Sequence, residues 1–266
     1  MAIDAQGVAR LPGFATPCLK ITYDGETMKW EPTAGWDRWV ELQQTDLPLP
    51  PHYAHAQVVH VLTEADGMAE TRMACTLKAE RLDAILSVEP VLFDLPNVMA
   101  TVTGLLPLLS AADVVSPDWP AACAIAGADA ASADPEAVLR GCRSRMQLKG
   151  GALLAVRCGS RGSYLLWGTR AERWAHVPAF PLPDPVQDPT GAGNAYCGAL
   201  AACLARGGPG ALADTARVLK AAAQASATGA AVVQVDGLPE LGAALNAQLS
   251  RYCDDIASRT RILSVP

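Results

Sequence analysis

Several features are missing from this sequence of 266 residues, and each absence removes a class of function. Lys and Arg nowhere cluster and the formal net charge is −6, so a nucleic-acid backbone is not the main partner. No apolar run suits a bilayer: stretches such as 98–112 are too short and too interrupted. The opening MAIDAQGVARLPGF has no basic region followed by an apolar one, so no secretion leader is expected. The 8 cysteines, at 18, 75, 123, 142, 158, 197, 203 and 253, contain no CxxC pair. That scatter fits small buried residues in a reducing compartment better than a zinc site or a disulfide framework. No GxSxG and no internal repeat occur. What is present is a chain that is 50% hydrophobic and 18% charged, which excludes extensive disorder. Its length allows one large domain or two small ones, and 20 Pro with 22 Gly argue for many short connections.

In TPCLKITYDGETMKW (16–30), Leu19, Ile21 and Tyr23 alternate before a turn-forming Asp24-Gly25, which predicts a hairpin. The stretch up to Pro51, with Trp36 and Trp39, reads as irregular or as one short element. The rhythm then changes. The run 56–62 predicts a strand buried on both faces, followed by a helical segment ending near Ser87 and a second buried strand over 90–96. Helices are expected at 98–111, with Pro107 a late interruption, at 119–126 and at 135–148, with a short strand in ADVVSP between the first two. Strands at 152–157 and 163–167 flank a Gly-rich turn, and helices follow to about Arg206, over 211–231 and over 238–253. Strands alternating with helices imply parallel βαβ units. The hairpin breaks that rhythm, so residues 1–51 are expected to form a small lid and connecting segment beside a core of 52–266.

The stretch DPTGAGNAYCGAL (188–200) sets Gly191, Ala192 and Gly193 before a helical run. A helix starting there aims unpaired N–H groups and the positive end of its dipole at whatever lies above, which favours phosphate. On spacing alone, a plain Gly-rich helix start is an equally good reading. The surrounding residues resemble the C-terminal signature of the ribokinase, or PfkB, family of carbohydrate kinases. Asp188, Thr190, Gly191, Ala192, Gly193, Ala195, Tyr196 and Gly198 match that pattern. VRCGSRGSYLL is similar to the family's strand-turn that holds ATP phosphates, through Gly159, Ser160, Arg161 and Gly162. Arg157 and Cys158 replace the usual Thr-Leu there, and taken alone a strand–Gly-turn–strand is more often structural. ADVVSPDWPAA falls where the family carries Asn-x-x-Glu, and KAAAQASATGA resembles the helix beside the adenine pocket. The resemblance runs from about Thr16 to Arg251, and DPTGAGN is similar to the branch that includes fungal maintenance-of-killer proteins.

The resemblance implies a three-layer α/β/α ribokinase-like fold with a mostly parallel central sheet and a small β lid. It also implies ATP as phosphoryl donor, Mg2+, and K+ at Asp188 and Thr190, with a sugar or small alcohol as acceptor. In the family the residue at position 194 is an Asp acting as base. Here it is Asn194, and an amide is not a useful general base near neutral pH. Asp118 begins the position of Asn-x-x-Glu, but Ala121 replaces the Glu. Asp118 therefore reads as a weak metal ligand or, by preference with Pro120 behind it, as a helix cap. The family's opening segment, with its sugar-binding Asp, is not found ahead of the hairpin. Asp188 suits a turn equally well, and Asp184, among prolines, reads as a loop acid. Asp236 is another acid expected near the site. His52, His55 and His60 lack metal spacing, and His60 reads as a satisfied strand histidine. Trp30, Trp36 and Trp39 read as a hydrophobic cluster at a loop edge. Two functions follow: an ATP-dependent kinase with impaired catalysis, or a silent descendant serving as nucleotide-binding scaffold or regulator. Either is expected to be intracellular and cytoplasmic, with a homo-oligomer or protein partner left open.

Overall fold

The computed structural model describes residues 8, 11–24, 27–46, 49–64, 68–92, 95–169, 172–208 and 210–263. The predicted hairpin is present as β1 (Cys18–Asp24) and β2 (Thr27–Ala34), an antiparallel two-stranded sheet separate from the main one. Its turn, Gly25-Glu26, lies outside the described residues. A short helix, α1 (Trp39–Gln44), follows, with Trp36 and Trp39 packed 4.7 Å apart by ring centroid, as expected of a loop-edge cluster.

The main sheet has the order β3 (Val58–Thr63), β4 (Ile85–Pro90), β5 (Val114–Val115), β6 (Leu153–Arg157), β7 (Ser163–Trp167), β8 (Arg173–Val177) and β9 (Arg261–Ile262). Strands β3 to β6 pair in parallel, and each later pairing is antiparallel. Because β8 reverses β7, it runs with the first four, so five of the seven strands share one direction.

Helices cover both faces. On one lie α2 (Ala69–Glu80), α3 (Val98–Ala111), α4 (Trp119–Ala126) and α5 (Pro135–Arg145), closing on a core that includes Leu105, Leu109, Ile125 and Leu139. On the other lie α6 (Ala192–Arg206), α7 (Thr215–Val232) and α8 (Ala243–Arg259), around Leu200, Val218, Ala222 and Ile256. Strand alternation divides the two cores: Leu154 and Val156 of β6 join the first, Leu153 and Ala155 the second. Helix α7 is narrow enough to lie close because Ala221, Ala222, Ala223, Ala225 and Ala227 form its buried stripe. None of the described helices is long and apolar enough to cross a membrane.

Several strands differ from the expectation. The second is not at 90–96 but at Ile85–Pro90, inside the stretch assigned to the preceding helix. That helix stops at Glu80 because the chain turns back there: Lys78 donates to the carbonyls of Leu82 and Ala84, and Arg81 binds Asp83. β3 is not buried on both faces either. It is the edge of the sheet, with Val61 buried and Leu62 47% exposed. Strand β8 lies in a stretch to which the sequence assigned no element; its buried side rests on Ala175 and Val177 alone.

Candidate active site

Helix α6 begins at the end of the sheet where the parallel strands finish. Gly191, its N-cap, has φ 84°, a left-handed conformation that disfavours side chains. The Ala192 amide turns back to Pro189 C=O at 3.3 Å, and the first intrahelical bond runs from Ala195 N–H to Gly191 C=O at 2.8 Å. Helix geometry leaves the Gly193 and Asn194 amides outside the ladder, facing outward from the positive end of the dipole. The sequence placed this anion cradle on Gly191, Ala192 and Gly193. Of these three, Ala192 turns its amide back to Pro189, and the Gly193 amide stays outside the ladder beside that of Asn194. The Asn194 side chain is exposed on the first turn.

Beneath the first turns of α6 lies a polar patch that sequence reasoning did not assemble. On the parallel strands a series of positions facing α6 is polar: His60 in the middle of β3, Ser87 and Glu89 on β4, Ser116 just past β5, and Arg157 at the end of β6. The signal was available as period-two alternation, since Leu86, Val88, Val115, Leu154 and Val156 occupy the intervening positions and face the other core. Arg157 Nη1 binds Glu89 Oε1 at 2.6 Å, with the Glu89 side chain 7% exposed. His60 Nδ1 is 3.0 Å from Ser87 Oγ, and its Nε2 is 3.8 Å from Glu89 Oε2. Burial depresses the His60 pKa below 6.5 and nearby Arg157 adds to that, while Glu89 and the Ser87 hydrogen bond work in the opposite direction. Neutral His60 is thus the satisfied strand histidine expected from sequence. Cys197 lies in the same patch, but burial pushes its thiol up to about 12, which makes it no nucleophile.

The patch meets α6 at Gly193. A Cβ there would collide with Arg157 Nη1 and come within 3.9 Å of Glu89 Oε1, so the missing side chain is what admits the guanidinium. Arg157 also leads directly into the Gly159–Arg161 turn, where Gly162 takes φ 91°. That turn has a structural purpose as well: a Cβ on Gly162 would strike the carbonyl of Val177. Arg161 stacks 5.0 Å above Trp119, and its carbonyl meets His176 Nε2 at 2.8 Å. Ser160 is exposed on the same turn.

The remaining expected residues separate into local roles. Asp118 Oδ1 accepts the Ala121 amide at 2.9 Å and caps α4, the preferred reading of the two. Asp188 Oδ1 accepts the Thr190 amide at 2.8 Å, an Asx turn; hydrogen bonding to Thr190 holds its carboxyl below the usual range. Thr190 Oγ1 in turn donates to Tyr23 of the hairpin at 3.3 Å, which ties the hairpin to the motif loop. Asp184 and Asp236 are exposed loop acids. Among the described residues, no three His, Cys, Asp or Glu side chains come together as a metal cluster. A magnesium site is poorly served here, because Asp118 is engaged as a cap, Glu89 is paired with Arg157, and Ala121 offers no ligand.

Known structures with this fold include ribokinase from Giardia lamblia, at TM-score 0.64 and 18% identity, covering 92% of this chain and 73% of that one. A fructokinase from Vibrio cholerae O395 aligns at TM-score 0.66 and 22% identity, over 93% and 77% of the two chains. A putative ribokinase II from E. coli aligns at 0.64 and 19%, over 94% and 73%. These likenesses define a ribokinase-like fold. No curated protein matches at the level of sequence. The family model for pfkB carbohydrate kinases matches residues 51–240, and the chain belongs to that family.

Proposed function

We propose that this chain binds the polyphosphate of ATP at the start of α6 and transfers its terminal phosphoryl group to a sugar or small alcohol with impaired efficiency. One observation carries the reading: the Gly193 and Asn194 amides open at the end of the sheet while the side chain at position 194 is an amide rather than a carboxylate. The cradle stabilises phosphate charge, which is the larger part of phosphoryl transfer. Loss of a positioned base costs about 10²–10⁴-fold in rate. The E. coli relative's structure is a complex with ATP and magnesium, and the Vibrio fructokinase structure holds fructose, ADP and calcium. Those contents support a nucleotide as the ligand of this chain.

The β1–β2 hairpin serves as the lid, held near the motif loop by Tyr23 and Thr190. The Asp188-Thr190 turn is the place for a monovalent cation by resemblance alone. Free cysteines throughout the described chain suit a reducing, intracellular setting. A second reading, a nucleotide-binding scaffold without turnover, draws support from the Glu89–Arg157 pair, which already neutralises the polar patch.

The test is sugar-dependent release of ADP by the wild type and Asn194→Asp, alongside ATP binding by calorimetry. A working cradle predicts ATP binding by both proteins and a rise of about 10²–10⁴-fold in turnover for the variant. Binding without any rise would leave the scaffold reading. Absence of ATP binding in both would overturn the two together.

A further inference from the structure

We propose that Arg157 takes the place of a divalent cation in this site, so that the chain binds polyphosphate through the Arg157 guanidinium and the α6 amides without a metal. The inference deepens the nucleotide-binding reading above and rests on it for the identity of the natural ligand. It begins from charge. A nucleotide's phosphate tail needs positive charge close to it, and a metal ion supplying that charge needs carboxylate oxygens to hold it. Glu89 and Asp118 are the acids placed to do so, at the ends of β4 and β5. Both already have other duties: Glu89 Oε1 is bound by Arg157 at 2.6 Å, and Asp118 Oδ1 caps α4 at 2.9 Å.

The guanidinium occupies that position itself. Arg157 follows Leu153 and Ala155 on the β6 face directed at α6, which brings its Nη1 against Gly193 at the helix start. Two positive elements, an arginine and a helix N-terminus, thus converge, with one carboxylate between them as counter-ion. Arg157 Nε is buried and has no hydrogen-bond partner among the described residues. A guanidinium carries five donors in a fixed fork, suited to phosphate oxygens, and Glu89 meets it at Nη1 while Nε is left unpartnered. Glu89 keeps the buried charge paired. A polyphosphate arriving at the amides competes for the same fork.

The experiment titrates inorganic tripolyphosphate and ATP into the full chain by calorimetry, in excess EDTA and again in excess magnesium. The wild type is expected to bind both anions in EDTA within about twofold of its affinity in magnesium. Arg157→Gln should weaken binding in EDTA by about tenfold or more, the size of a lost hydrogen bond to a charged group. Arg157→Lys, a point charge without the fork, should fall between the two. Because Arg157→Gln strands a buried carboxylate, the double variant Arg157→Gln/Glu89→Gln removes both charges and must show the same loss. Glu89→Gln alone, which frees the fork, should bind tripolyphosphate more tightly than wild type.

Wild-type affinity that falls about tenfold or more in EDTA would overturn the inference and leave the nucleotide reading standing. Wild-type affinity in the double variant would also overturn it. Tripolyphosphate binding without ATP binding would uphold Arg157 as the anion group and sink the nucleotide reading. Binding of neither anion would sink both.

Discussion

The two ends of the sheet each carry a largely buried acid paired with a cation, and they are built to opposite specifications. At the end where the parallel strands begin, Asp113 receives Lys78 at 2.8 Å, Lys149 at 2.6 Å and the Leu86 amide at 2.8 Å. Lys78 spends its other donors on the carbonyls of Leu82 and Ala84, and Lys149 binds Ala111 C=O. Burial would push the Asp113 carboxyl upward, yet the Leu86 amide and the two ammonium groups more than offset it and hold it below the usual range. A depression of about 400 Å³ lies beside this knot, lined by Lys78, Asp113 and residues near the end of α6, and its charged groups are already committed to one another. At the far end, Glu89 has one arginine, and that arginine has a buried donor left over. Saturated pairing marks a fastener, and unsaturated pairing beside open amides marks a site.

That contrast breaks most visibly by removing Asp113. Asp113→Ala strands two ammonium groups and a strand amide, and a loss of about 3 kcal/mol in denaturant unfolding is expected, with tripolyphosphate affinity per folded molecule unchanged. A loss of affinity would mean the two ends are not independent. Next in size, Gly193→Ala places a methyl where Arg157 Nη1 sits. The obstructing atom is the tip of a flexible side chain, so unfolding should shift by less than about 1 kcal/mol, while tripolyphosphate affinity falls about tenfold. Unfolding as severe as that of Asp113→Ala would reassign the far end as a second fastener. The smallest effect belongs to His60. Its folded-state pKa lies below 6.5, so the stability it confers is present above that value and is lost as pH falls beneath it, when the unfolded chain takes the proton first. His60→Gln should flatten this part of the stability curve; an unchanged slope in urea melts would assign the acid sensitivity to other groups.

The legible parts of the fold were those with a single dominant periodicity. Val98–Ala111 and Trp119–Ala126 have the bounds their patterns predict, despite Pro107 in the first. Ile85–Pro90 was hidden because the turn before it is made by side chains, Lys78 and Arg81, rather than by Gly or Pro. Strand β8 was hidden because RWAHV sets Trp174 and His176 on its partly exposed side and begins its buried side with an exposed Arg173. In the site, the helix start at Gly191 was readable from local chemistry, since a positive φ and orphan amides are properties of a few adjacent residues. The Glu89–Arg157 pair joins residues far apart in the chain, and only the strand order β4-β5-β6 places them together. Arg157 was visible as a departure from the family's Thr, but its partner was not.

Helix α6 also bears on how such a protein could change over generations. Its inward side is fixed by Leu200, Ala201 and Leu204 and by the Tyr196 hydroxyl bonded to Ser163 at 2.9 Å. Any mutation that displaces the amides at the start of α6 must therefore disturb the folding core. Asn194 projects from the same turn into solvent and answers to no packing demand. In such an architecture a catalytic side chain can drift away while the cradle beneath it is retained by selection for folding alone. An intact turn of this kind is then held in place by folding, and the exposed position beside it is the one left free to change.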